Sequence, residues 1–355
     1  MRILDGYVNR MAIGGYALAI SVLLTLFGFI VFLEQLEDVG DGSYDTLDAA
    51  LYVLLTLPAL LMRLAPVGAL LGGLLAAASL ARNSELIAIR SAGVSSLRLS
   101  WSFLRPALAF VILLVVVGEY IAPPLQQAAE RGRSIQVTDV NDVLRGKGLW
   151  SRDGLRFLYV RALRHGQIPA GIDLYEFDPS GQLRRYLHAE QADVLADGAW
   201  RLRNVRQKRT VDGTPSNQWL AELHWQPFWS SDQMKVLQLP ADSLSYTKLL
   251  DYRAYLHSTG QTTERADLLF WQKVAAPLSA AAMALLAVPF GFGSQRSPGM
   301  VRQIALGALI GVSFHLLGEV AGSAGLLLNL NAPVVALSPS VLVIVTALLL
   351  TARKR

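Results

Sequence analysis

Six apolar stretches, each long enough to cross a bilayer, are divided three and three by a polar insert of about 140 residues, and this alternation limits the chain to one broad architecture. The runs cover residues 13–33, 51–81, 104–122, 268–290, 304–328 and 332–351. Hydrophobic residues make up 53% of the 355 positions and charged residues only 17%, with a positive mean hydropathy. This is the composition of a membrane protein. The first run is longer than a signal-peptide core and is followed at once by Glu34, so it reads as a span and not as a cleaved leader. The second is oversized and contains Pro58 and Pro66, which predicts a tilted or kinked helix whose first turns lie outside the hydrocarbon.

Lysine and arginine set the orientation. Arg2 and Arg10 precede the first run, while Arg82, Arg90, Arg98 and Arg105 follow the second. Arg296 and Arg302 follow the fourth, and Arg353, Lys354 and Arg355 end the chain. The opposite loop, 34–50, holds Glu34, Glu37, Asp38, Asp41, Asp45 and Asp48 with no base, and the 322–330 turn has none either. The positive-inside rule therefore places both termini in the cytoplasm and the polar insert outside it. The sequence has no cysteine, which excludes disulfides and thiolate metal sites without deciding the compartment.

The insert is long enough to enclose its own core. In GAWRLRNV, Trp200 and Leu202 alternate with Arg201 and Arg203, as in a strand with one buried face. IDLYEFDPSGQLRRYL reads as two strands joined through Asp178, Pro179, Ser180 and Gly181. LRFLYVRAL, NQWLAELHW and MKVLQL supply further strands, giving an antiparallel sandwich or jellyroll, and a short helix is expected over 246–258. The domains are then 1–124, with three spans; 125–267, the exported β domain; and 268–355, with three more spans. No repeat relates the two membrane halves in sequence, so an inverted-repeat transporter has no support here.

The segment 82–105, RNSELIAIRSAGVSSLRLSWSFLR, is the principal polar interruption on the cytoplasmic side. It reads as a short amphipathic helix. Asn83 or Ser84 can cap it, Glu85 sits at the end the helix dipole favours, and Gly93 is a suitable stop. Leu86, Ile87, Ile89 and Val94 supply the apolar side. From residues alone it is either an interfacial helix whose arginines hold lipid phosphates or a docking element for a cytoplasmic partner.

Chemistry-bearing motifs are missing. The chain has no phosphate-cradling Gly-x-x-x-x-Gly-Lys-Ser/Thr, no His-Glu-x-x-His and no Gly-x-Ser-x-Gly. We read it as non-enzymatic, with no metal or cofactor of its own. What remains is a set of ionisable groups at membrane depth, Arg63, Glu119, Lys273, His315 and Glu319, each costly enough in hydrocarbon to be a functional candidate. Arg63 can also snorkel to the outer interface, and the others can serve as interhelical contacts. A membrane-anchored scaffold and a mechanotransmitting permease are the rival readings. The first needs no coupling element, and the second commonly carries its exported domain after the first span.

The run RNSELIAIRSAGVS, with GEYIAPPLQQAAE after the third span, GLWSRDGLRFLYV in the insert and the terminal RKR, resembles the LptF/LptG permease family. The segment LEQLEDVGDGSYDTLDAALYVLLTLP resembles its LptG branch. The resemblance covers nearly the whole chain. It implies an α+β membrane protein of six transmembrane helices with an inserted periplasmic antiparallel β-jellyroll, in the bacterial inner membrane. It further implies pairing with an LptF-like permease on an LptB-like ATPase dimer, which binds the ATP and magnesium, and a bridge of LptC-like and LptA-like proteins that receives lipopolysaccharide. Residues 82–96 would be the coupling helix, Glu85 its acidic contact to the ATPase, with Leu86, Ile89 and Arg90 beside it. The first and fifth spans would form lateral gates; our own candidates for lipid contacts are Phe29, Phe32 and Arg63, the last as a substitute for cations that the family pattern places elsewhere. One departure stands out: the family pattern has lysines near the external end of the first span, where this chain has Val31, Glu37 and Asp38.

Overall fold

Long uninterrupted apolar runs leave the backbone no option in hydrocarbon but to satisfy itself internally as helix, and a computed structural model of the chain shows six helices of that kind. It describes residues 2–82, 91, 96–137, 149–164, 168–195, 199–211, 214–226, 241–292 and 300–352. Helices α1 (Arg2–Leu36) and α2 (Thr46–Arg82) are followed by α3 (Ser96–Val116). A π-helical turn, Val117–Ile121, joins α3 to α4 (Ala122–Val137). After the insert come α6 (Glu264–Phe292), α7 (Met300–Leu327) and α8 (Ala332–Ala352). The segment 83–90, with Gly93, lies outside the described residues, as does MKVLQL.

The helix that begins as the third span runs further than its apolar stretch, through Val137. The cause is readable in GEYIAPP. Pro123 and Pro124 have no N–H to return to the preceding turn, and the backbone slips to the wider register, the Ala122 N–H bonding to the Val117 carbonyl. Glu119 sits in that turn. Beyond it, α4 buries Gln127 and Ala129, so residues 125–137 are helix where the sequence pattern alone placed the start of the β domain.

The chain divides into two compact units: residues 1–34, 53–126 and 264–355, and residues 35–52 with 127–263. In the first, the core joins Val8, Ala12 and Tyr16 of α1, Leu70, Leu74 and Leu80 of α2, Leu114 of α3 and Met283, Ala284 and Ala287 of α6. Small side chains dominate because helices in lipid gain by close backbone approach and not by expelling water. A buried Ser279–Ser340 hydrogen bond of 2.7 Å ties α6 to α8.

The second unit contains one six-stranded antiparallel sheet in sequential order, β1 (Leu149–Asp153), β2 (Arg156–Arg164), β3 (Ile168–Phe177), β4 (Leu183–Val194), β5 (Trp200–Val211) and β6 (Thr214–Trp225). The antiparallel insert is as expected, and among the described residues its strands form one meander. Strand alternation sends Leu158, Ile172, Leu174, Leu187, Trp200 and Leu202 to one face, where they form the core with Tyr255 packed against them. Tyr255 belongs to α5 (Tyr246–Ser258), capped by Ser245. A tight spot within the sheet is Gly171, at φ +61°, where a Cβ would stand 2.9 Å from that of Arg161.

The β3–β4 turn is built around Asp178. Its carboxylate accepts from the Ser180 hydroxyl at 2.6 Å and from the Ser180 and Gln182 backbone N–H groups, both at 2.9 Å. These bonds favour the charged form and hold the carboxyl below the usual carboxylate range. A depressed folded-state value means the turn is fully supported above the ordinary range and loses that support as pH falls through the lowered value. Asp178→Asn is therefore expected to destabilise the hairpin modestly at neutral pH and to flatten the acid limb of the stability profile, as read by thermal melts between neutral and acid pH.

Candidate functional site

The six spans do not share burial equally. The most apolar window of α6 is 61% buried within the chain, whereas those of α1 and α7 are only 17% and 11% buried. On α1 the exposed side chains Val22, Leu26, Phe29 and Leu33 recur at helical spacing, with Phe32 half-buried beside them. On α7 Leu309, Val312, Leu316 and Val320 do the same. His315 and Glu319, four residues apart, are exposed on α7 among these apolar groups. An ionisable group facing hydrocarbon costs about 2.5–3.5 kcal/mol at mid-bilayer, so such groups face protein or a watered cavity. The bare face of α7 thus carries two ionisable groups among apolar ones.

Arg63 is exposed on α2, Lys273 is half-buried on α6, and Glu119 is half-buried in the π turn. These intramembrane candidates therefore sit on separate helices, and only His315 and Glu319 share one. Residues Glu85, Leu86, Ile89 and Arg90 lie outside the described residues.

Both α1 and α7 are seated on α2 through glycines. A Cβ on Gly72 would fall 2.7 Å from the Tyr16 Cα, and one on Gly15 would fall 2.4 Å from the Gly72 carbonyl oxygen. On the other helix, a Cβ at Gly311 would meet Val67 at 2.8 Å and one at Gly307 would meet Leu74 at 2.6 Å. Gly68-x-x-x-Gly72 and Gly307-x-x-x-Gly311 place these contacts one turn apart, the small-residue spacing of close helix pairs. Tyr16 also stacks on Phe110 of α3 at 5.9 Å. The two most exposed spans are consequently held from behind by a shared central helix.

The acidic loop between α1 and α2 is occupied internally. Asp38 accepts from the Arg133 Nε at 2.9 Å, Asp48 from the Gln136 amide at 2.7 Å, and Glu130 from the Tyr52 hydroxyl at 3.3 Å. The Ser43 N–H donates to the Gln136 carbonyl at 2.9 Å. Asp45 caps α2 by accepting the Leu47 and Asp48 N–H groups, while Asp48 accepts from the Asp45 N–H, a reciprocal cap. Burial pushes the Tyr44 phenol up, and its hydroxyl donates to the buried Gln35 at 3.2 Å. Asp38 therefore has its charge met by Arg133 and is not a bare anion at the end of α1. Nothing local in the sequence signals this pairing across ninety-five residues.

Among the described residues, six membrane-capable helices with an antiparallel sheet inserted between the third and fourth, and two spans whose apolar faces the chain leaves uncovered, define a multi-pass membrane protein. The chain belongs to the Lipopolysaccharide export system permease LptF/LptG family, whose profile matches residues 6–353. It is 33% identical over 354 residues to the Lipopolysaccharide export system permease protein LptG of Haemophilus influenzae, covering 99% of both chains. Against the protein of the same name from Escherichia coli K12 it is 31% identical over 364 residues, covering 99% of this chain and 98% of the relative.

Proposed function

We propose that this chain is the LptG-type permease subunit of a lipopolysaccharide exporter in the bacterial inner membrane, with both termini cytoplasmic and the β domain periplasmic. Its partner is an LptF-like permease. The two enclose a cavity between the bare faces of α1 and α7 and their counterparts, and a lateral opening there admits the lipid. The observation that carries this is the shortfall in burial of α1 and α7 together with the exposed His315 and Glu319 on α7. Phe29 and Phe32 offer acyl-chain contacts near the external end of α1, and Arg63 is a cation for the lipid's phosphates. The chain itself binds no nucleotide. ATP and magnesium belong to an LptB-like dimer that closes against residues 82–96, and the narrowing cavity expels the lipid toward LptC-like and LptA-like proteins.

Glu85 is the contact to test. A charge-assisted hydrogen bond at an interface is worth about 1.5–3 kcal/mol, so Glu85→Ala should weaken association with the ATPase about tenfold or more, or uncouple hydrolysis from export. Copurification in mild detergent and lipopolysaccharide-stimulated ATP hydrolysis read the two effects. Unchanged copurification with unchanged transport rejects the role.

A further inference from the structure

The face of the sheet turned away from its core is not a plain solvated surface. Along β3 the residues between the core positions are Asp173 and Tyr175, and along β4 they are Tyr186 and His188. Their rings join a ladder across four strands. Trp150 of β1 lies 4.6 Å from Tyr159 of β2 and 6.4 Å from Tyr175 of β3, which lies 5.1 Å from Tyr186 of β4. Buried Asp173 fixes the far end by accepting from the Tyr186 hydroxyl at 2.8 Å and pairing with His188 Nδ1 at 2.7 Å. Trp150 remains 57% exposed, so the platform is accessible.

The ladder ends in a cleft lined by Tyr175, Leu183, Arg184, Tyr186, Lys208 and Arg209, with Arg185 at its wall. Lys208 stands directly opposite Tyr186 in the strand register. Arg184 and Lys208 are exposed, and the acids nearby are engaged: Glu176 pairs with Arg185 at 3.7 Å, Asp173 with Tyr186 and His188, and Asp178, whose charge Arg184 also feels, with the Ser180 hydroxyl and the Ser180 and Gln182 N–H groups. Arg184 and Lys208, two accessible cations beside the aromatic platform, match a ligand with flat apolar ring faces and negative charge, whereas Arg209, opposite Arg185 in the register, belongs to the other face with Gln207. Aromatic faces take the apolar side of a sugar ring, and guanidinium and ammonium groups take phosphate.

We propose that this cleft binds a phosphorylated saccharide, and that in the exporter it holds the sugar portion of the lipid while the acyl chains travel elsewhere. The second clause rests on the proposed function. The first does not.

The test uses the full chain in lipid nanodiscs and the phosphorylated core oligosaccharide released from lipopolysaccharide by delipidation. Calorimetry reads the affinity. Arg184→Ala with Lys208→Ala is expected to weaken binding about tenfold or more, and the enzymatically dephosphorylated oligosaccharide should bind the parent chain weakly and be indifferent to the change. Tyr175→Ala should weaken both ligands. Unaltered affinity in the double variant overturns the site. So does displacement by inorganic phosphate at equal concentration, or by polyglutamate with the same dependence on Lys208, which would make this a surface for acidic polypeptide. Stimulation of ATP hydrolysis by intact lipopolysaccharide is measured in the copurified complex: its presence beside unaltered oligosaccharide binding rejects the cleft alone, and its absence rejects the proposed function.

Discussion

Gly72→Leu is expected to prevent α1 from seating on α2 and to cost more than about 4 kcal/mol, in the range where folded protein is lost. A Cβ at this position already stands 2.7 Å from the Tyr16 Cα, and the Gly72 carbonyl is within 2.4 Å of where Gly15 would carry its own. Neither neighbour is the movable tip of a side chain. Relief requires the helices to part, which removes the packing of Val8, Ala12 and Tyr16 against the core and gives up dispersion contacts along several turns. Gly14→Leu is the control, since nothing lies within 4 Å of its Cβ. The first variant should fall out of solution or melt far below the parent in detergent, and the second should fold normally. Because Gly14 looks outward from α1, loss of copurification with a partner permease in that variant alone would mark the same face as the assembly surface. A normally folded Gly72→Leu protein would show that α1 is not held in this way.

Reversing Asp38 should have the next largest effect. Asp38→Arg removes a charge-assisted bond to Arg133 and puts two guanidinium groups side by side, at side-chain exposures of 23% for Asp38 and 37% for Arg133. Partial exposure screens the repulsion, so the expected loss is about 2 kcal/mol, mostly the bond itself. The site is more than a surface pair because Gln136 and Tyr52 tie the same loop to α4. Loosening it should raise proteolysis in the 36–46 loop as well as lower the melting temperature. Adding Arg133→Asp restores opposite charges and should recover most of both. If the doubly reversed protein remains as unstable as the single variant, the charges are not what holds the loop.

Much of the architecture was legible beforehand for a local reason. A span is defined by its own hydropathy, and α8 (Ala332–Ala352) follows its apolar run to within a residue. Strand alternation in GAWRLRNV told which side chains are buried, and Trp200 and Leu202 are. Helix α5, Tyr246–Ser258, also matches its expected range. The extension of the third span's helix to Val137 was hidden because α4 is polar, with no hydropathy to announce it, although Pro123 and Pro124 marked the π turn.

The sequence by itself determined how many helices are long and apolar enough to cross a membrane, where the polar insert enters, which insert residues face a core and which ionisable groups fall within the apolar runs. Those properties depend on a residue and its near neighbours, so composition and period carry them. Only the tertiary structure decided that α1 and α7 are the spans left uncovered, that Asp38 belongs to Arg133, and that rings from four strands meet beside Lys208. Each depends on which distant segments approach one another, and a pairing across the fold leaves no trace in the spacing of either partner.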